Sequence, residues 1–389
     1  MKRFWVALLL VLVVGTSVFA DHVAQSDIIP DVPRDGIPPL DNPRYDPISK
    51  AGWLVDDDWV LAFERNGDAR AYPVKIMNWH EIVNDTVGGL EVLISYCPLC
   101  RSGLVFDRHL DAAHVPEAAQ SALAQDALLS FGNTGSLYES DMVMYDRNSD
   151  SQWFQVGGEA LIGPLHGTTL KRLPASMLSW GQFKAIYPEG SVLSRDTGYT
   201  RAYTRDIFAG YNRNPKQLFF PVTRVDDRLP AKSHVLGLSF GKTNRAYNLS
   251  SLEPGVYADQ VEAQAVVLFV EGGAGVAFDP RVEDKALAFS YEDGQFVDQK
   301  TGSVWNLAGK AVSGKLRGAQ LRRLAQSDLF WFSWATLYPD SEVLPELADF
   351  APYAVVSQAQ ALFPAWAWWL VLALVAVLGA WALRRRKEL

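Results

Sequence analysis

Short runs of β-branched and aromatic residues alternate with Gly, Asn, Asp and Pro along most of the chain. Residues 91–96, 104–106, 142–145 and 266–270 read as strands bounded by such punctuation. Two stretches, "MLSWGQFKAIYP" and "LFWFSWATLYP", carry apolar residues at helical spacing and stop before a proline. The pattern predicts a β-rich α+β fold.

The pattern also repeats. "VLAFERNGDARAYP" (60–73) aligns without gaps on "VLGLSFGKTNRAYN" (235–248), and residues 159–193 align without gaps on 310–344. Gly163 falls on Gly314, Gly167 on Gly318, Trp180 on Trp331, and Tyr187-Pro188 on Tyr338-Pro339. This predicts two tandem pseudo-symmetric units, 55–232 and 233–346, behind an extended Pro/Asp-rich segment at 21–54.

The ends break the pattern. Residues 1–20 have Lys2 and Arg3, an apolar run over 4–14, and Val18 and Ala20 before Asp21, the layout of a signal peptide. After a linker at 347–364, residues 365–383 form an uncharged stretch long enough for a C-terminal transmembrane helix. Trp366, Trp368 and Trp369 mark one interface, and Arg384, Arg385, Arg386 and Lys387 in the tail 384–389 place the other end in the cytoplasm. The expectation is a single-pass protein of the cell membrane, its ectodomain in the periplasm or on the cell surface.

Charge narrows the partners. A net charge of −8 with no long basic run between the termini argues against nucleic acid. Export would also place the thiols in an oxidising setting.

Cys97 and Cys100, in "VLISYCPLCRSGLVFDR", are the only cysteines. Apolar residues on both sides predict a strand–turn–strand hairpin, closer to a metal-gripping knuckle than to a thiol at a helix start. Three roles stay open: a redox couple, two ligands of a Zn or Cu site, or a disulfide that staples a non-catalytic surface module. Whether the site is enzymatic is equally open. The repeat serves as a control, because residues kept in both units build the fold. Aligning Phe106-Asp107 on Phe278-Asp279 puts Cys97 on Phe269 and Cys100 on Gly272. His80 falls on Gly255 and His166 on Arg317. Cys97, Cys100, His80 and His166 are therefore the candidate site residues, with His109 and His114 as further possible ligands. Met77, Met142 and Met144 hint at copper(I) if a metal binds. In "NWHEIVND", Asn78 as N-cap with Glu81 three residues on predicts His80 in the first turn of a short helix, held neutral by the dipole. Ser140, Asp141 and Asp146 read as turn and strand-end hydrogen-bonding residues. There is no Walker loop, G-x-S-x-G elbow, H-E-x-x-H or C-x-x-C-H motif.

"DGIPPLDNPRYDP", "RAYPVKIMNWHEIVND", "YCPLCRSGLVFDR", "FGNTGSLYESDMVMYDRNSDSQW" and "GPLHGTTLKRLP" together resemble the DUF3179 family, bacterial and archaeal proteins of unknown function. The resemblance implies that His80, Cys97, Ser140, Asp141, Tyr145, Asp146 and Arg147 occupy signature positions. It also implies that glycine is common where this chain has Arg101, and that threonine replaces the second cysteine in some members. That favours a couple of Cys97 with His80, in which the imidazole would make Cys97 the more reactive thiol.

Overall fold

The computed structural model describes residues 23–112, 115–122 and 127–344, and the strand Ala354–Val355. The first half is built from three five-stranded sheets. Trp59–Arg65 and Asp68–Pro73 form a hairpin whose Asn66-Gly67 turn has both φ angles positive, the geometry that Asn-Gly favours. Ser176–Ser179 flanks it antiparallel and Ser191–Leu193 parallel. A second sheet holds Ile82–Val87, Leu90–Cys97 and Ser102–Asp107, with Arg172–Leu173 on one edge. A third holds Phe131–Tyr138, Asp141–Asp146, Gln152–Phe154 and Glu159–Ile162. The Pro/Asp-rich segment gives each sheet one short strand: Ile29–Pro30, Leu40–Asp41 and Tyr45–Pro47. Its prolines suit such edge positions, where no central ladder donor is lost.

The second half repeats these strand orders. Ser327–Phe330, His234–Phe240, Thr243–Asn248 and Glu342–Leu344 reproduce the first sheet, with the same parallel and antiparallel pairings. Gly255–Val261, Gln264–Glu271, Ala274–Asp279 and Arg322–Arg323 reproduce the second. Detail repeats as well. Asp146 accepts from the Ser149 hydroxyl and Trp153 Nε1, and Asp298 from the Thr301 hydroxyl and Trp305 Nε1. Ser151 Oγ accepts from the Leu165 amide, and Ser303 Oγ from the Leu316 amide. A Cβ at Gly163 would meet Ser151 Cα at 2.7 Å, and one at Gly314 would meet Ser303 Cα at 2.6 Å. These residues hold the scaffold.

The halves share their cores. One apolar cluster joins Phe106 and Trp153 to Leu329, Trp331 and Trp334; another joins Val60, Trp180 and Phe183 to Phe269, Phe278 and Trp305. Across the join, Arg172 donates to Ser327 Oγ and Arg323 to Ser176 Oγ, a reciprocal exchange of the kind a two-fold interface makes. The two helical stretches are shorter than the pattern suggested, Trp180–Ile186 and Trp331–Leu337, because Ser176–Ser179 and Ser327–Phe330 are taken into the sheets.

The expected membrane anchor is corrected. Among the described residues no helix is long and apolar enough to cross a membrane. The three longest helices among the described residues, Val74–His80, Trp180–Ile186 and Trp331–Leu337, have seven residues each, about 10 Å against a hydrocarbon core of about 30 Å. The stretches 1–20, 365–383 and 384–389, on which the signal peptide, the transmembrane helix and the basic tail rested, lie outside the described residues. The single-pass architecture, the membrane as partner and the placement in periplasm, cell surface or cell membrane are withdrawn with it.

Candidate metal centre

The strand Leu90–Cys97 ends at Cys97, which pairs with Ser102 across the turn 98–101. Both cysteines are buried free thiols, so the expected structural disulfide is corrected: no bond joins them. Cys100 Sγ donates to Asp141 Oδ1 at 2.9 Å and lies 3.0 Å from Ser102 Oγ. The other oxygen of Asp141 accepts the Val156 amide at 2.9 Å. Ser102 Oγ donates to Gln155 Oε1 at 2.7 Å, and Gln155 Nε2 donates to Ser95 Oγ at 2.9 Å. A buried polar network thus runs from Ser95 to Asp141.

Asp141 is delivered by a tight hairpin. Tyr138 pairs with Asp141, and the intervening Glu139 and Ser140 have φ of 51° and 62°. Left-handed backbone costs a non-glycine residue about 1–2 kcal/mol, and such strain persists only where surroundings hold it. Here Ser140 Oγ donates to the Phe220 carbonyl at 3.1 Å, and Glu139 accepts the Thr223 amide at 2.7 Å.

The sister half shows what the network replaces. Gly103 pairs with Tyr96, and its counterpart Gly275 with Val270. Cys97 therefore corresponds to Glu271, and Ser95 to Phe269, which corrects the gapless alignment. The turn holding Cys100 is two residues longer than the Gly272-Gly273 turn. Ser102 corresponds to Ala274, and Gln155, two residues beyond Trp153, to Leu307, two beyond Trp305. In that half Phe269 stacks on Phe296 at 4.3 Å. The same framework therefore folds with Phe269, Ala274 and Leu307 in an apolar cluster where the network has Ser95, Ser102 and Gln155. Buried polar networks are costly unless fully satisfied, so the scaffold alone does not require this one.

Cys97 forms part of the wall of a cavity of about 120 Å³ lined also by Glu81, Asn133, Leu99, Met142 and Phe219. Burial pushes the Glu81 carboxyl up to about 8, against a 2.7 Å hydrogen bond from Asn133 Nδ2. Burial likewise pushes Asp141 up to about 6, opposed by the bonds from Cys100 and the Val156 amide. Both thiols are raised, chiefly by burial. Among the described residues lining the cavity there is no Lys, Arg or His. The Tyr211 hydroxyl is buried without a partner, its ring 4.4 Å from that of Phe219, and burial pushes its pKa up. Acids gathered without a matching cation hold their protons to higher pH, and a divalent ion can displace those protons. Among the described residues, Cys97, Cys100 and Asp141 form the group whose ligand atoms all lie within 4.8 Å of one another.

The expected histidines lie elsewhere. His80 closes the helix Val74–His80, whose N-cap is Pro73, and Asn78 sits inside that helix bonded to Asp206. Both ring nitrogens of His80 are engaged, Nδ1 at 2.8 Å from the Pro38 carbonyl and Nε2 at 2.6 Å from the Tyr203 hydroxyl. Burial pushes its pKa down. Its neighbour Glu81, with φ of 56°, turns into the cavity instead. His166 lies exposed on the turn after Gly163, and His109 is half-exposed near Asp107. His114 lies outside the described residues. Met142 lines the cavity, while Met77 and Met144 are core. Tyr145 and Arg147 bind Asp35 and Asp41, fastening the N-terminal segment. Glu81, Asn133, Ser102 and Gln155 had not been singled out for chemistry.

The second half clamps the cysteine turn. The Phe330 amide donates to the Cys100 carbonyl at 2.8 Å. Arg101 has φ of 54°, a conformation glycine adopts freely. Its guanidinium lies 3.7 Å from Asp328, which also bonds His234, and 4.4 Å from the Trp59 ring centre.

Compared with known proteins, residues 34–341 match the model of a family described as "Protein of unknown function (DUF3179)". No curated protein and no solved structure matches the chain.

Proposed function

The chain belongs to the DUF3179 family, and we propose that within this fold Cys97, Cys100 and Asp141 bind a thiophilic divalent cation, with zinc as the best fit. The observation that carries the reading is their convergence within 4.8 Å in a buried polar pocket, beside Ser95, Ser102 and Gln155 where the sister half has Phe269, Ala274 and Leu307. Two thiolates and a carboxylate are a donor set that zinc accepts in tetrahedral geometry. Three donors leave a fourth position, and Cys97 is the member of the set on the cavity wall. A centre with an open position suits binding or catalysis rather than a closed structural role. The free, buried, proton-holding thiols speak against a poised redox couple, because the thiolate is the reactive form.

Metal analysis of the purified full-length chain tests this. Zinc is expected in stoichiometric amount, and Cys97→Ser and Asp141→Asn are expected to lose it while remaining folded. A wild type that takes up no zinc on titration, or variants that keep it, would overturn the assignment. Copper in place of zinc would keep the site but change the ion.

A further inference from the structure

We infer that the cavity beside Cys97 takes a small uncharged organic molecule with a carboxamide-type head, set against Glu81 and the metal centre. The inference rests on the metal-binding reading and adds the ligand to it.

Size comes first. A cavity of about 120 Å³ is slightly smaller than an engineered cavity of about 150 Å³ that holds benzene, so the occupant is a compact molecule. Its body would meet Leu99, Leu137, Met142 and Phe219, and apolar walls with few polar groups are the usual make-up of a small-molecule site.

The head is chosen by what is polar. Asn133 Nδ2 holds one oxygen of Glu81 at 2.7 Å, and its own Oδ1 accepts the Gly135 amide at 2.7 Å. Asn133 is thus spent on fixing Glu81, whose second carboxyl oxygen has no protein partner among the described residues. A carboxamide carries both donor and acceptor, so it satisfies that carboxyl and still offers an oxygen to the metal. Anions are disfavoured, since Glu81 and Asp31 line the cavity and no basic side chain does among the described residues. Phe219 is 43% exposed, which gives the cavity a route to solvent.

The test uses butyramide, butyrate and butylamine, which share a short alkyl chain and differ in the charge of the head, titrated into the zinc-loaded full-length chain by calorimetry. Butyramide should bind saturably, at least about tenfold more tightly than butyrate, because like-charge groups in such a site are penalised, and than butylamine, whose ammonium has donors only and no lone pair for the metal. It should bind more tightly with zinc than without, and by reciprocity should tighten zinc. Ser136→Phe, which narrows the cavity from its half-buried wall, should abolish butyramide binding and leave zinc stoichiometry unchanged. No saturable butyramide binding, equal binding of butyrate or butylamine, equal binding without zinc, or undiminished binding in a folded Ser136→Phe variant would each overturn the inference. Zinc stoichiometry is read separately, so a protein that never takes up zinc refutes the metal centre, whereas a zinc-loaded protein that ignores butyramide refutes only the ligand.

Discussion

Replacing Asp141 by asparagine separates a ligand from a structural residue. In the metal-free protein the carboxyl is held at about 6 by burial, roughly two units above its ordinary value. Its ionised form at neutral pH therefore opposes folding by about 3 kcal/mol. The sign follows from the direction: a raised carboxyl makes metal-free stability increase as pH falls from about 7 toward 4. Asparagine removes that penalty and keeps an acceptor for the Val156 amide. It loses the bond from Cys100, a loss of about 1 kcal/mol. Metal-free Asp141→Asn should thus be as stable as wild type or about 1–2 kcal/mol more stable, and should lack the pH slope. Zinc reverses the order. At free zinc a thousandfold above Kd, wild type gains about 4.1 kcal/mol. A hundredfold loss of affinity would leave the variant about 1.4 kcal/mol. Urea unfolding of both proteins, with chelator and with buffered zinc, reads all four values. Equal zinc-induced stabilisation in the two proteins, or a metal-free variant weaker by more than about 2 kcal/mol, would refute the reasoning.

Other perturbations have equally definite outcomes. Arg101→Gly relieves left-handed strain of about 1 kcal/mol but leaves the buried Asp328 with His234 alone, so urea unfolding should show a net loss of about 2 kcal/mol; a stabilised variant would mean the clamp on the cysteine turn is idle. Asp279, between Arg281 and Arg322, is held well below the usual carboxylate range. The stability it contributes is present above about pH 4 and lost as pH falls below, and Asp279→Asn should flatten that acid limb. His80→Gln should remove the stability lost by wild type as pH falls below about 6.5, the sign expected of a histidine whose folded pKa is depressed. The same variant should leave the rate of thiol labelling at Cys97 unchanged; a marked change would restore a His80–Cys97 couple.

Much of the hairpin carrying Cys97 and Cys100 was legible, because apolar β-branched runs around a Pro-containing turn leave few alternatives. The strand 142–145 was legible for the same reason, and the helices ending before Pro188 and Pro339 from apolar residues at helical spacing. His80 was misplaced because Asn78 and Glu81 mimic a capping box. The helix had already begun at Val74, where burial of Val74, Ile76 and Met77 outweighs local capping. Asp141 comes to the site from another sheet and Glu81 from the end of the helix Val74–His80, and no local pattern reports such convergence. One signal was available. Aligning the halves with the longer cysteine turn exposes Ser95, Ser102 and Gln155 against Phe269, Ala274 and Leu307, polar residues facing apolar counterparts in one chain. The expected anchor rested on segments outside the described residues, while the described helices are short because the sheets absorb their flanks.

X-ray absorption at the zinc edge of the zinc-loaded full-length protein tests the central claim most directly. Cys97, Cys100 and Asp141 as ligands predict two sulfur scatterers at about 2.3 Å and oxygen at about 2.0–2.2 Å, and no two-sulfur shell in Cys97→Ser, which is expected to lose the metal. A shell of nitrogen and oxygen alone, or an unchanged sulfur shell in Cys97→Ser, would contradict it.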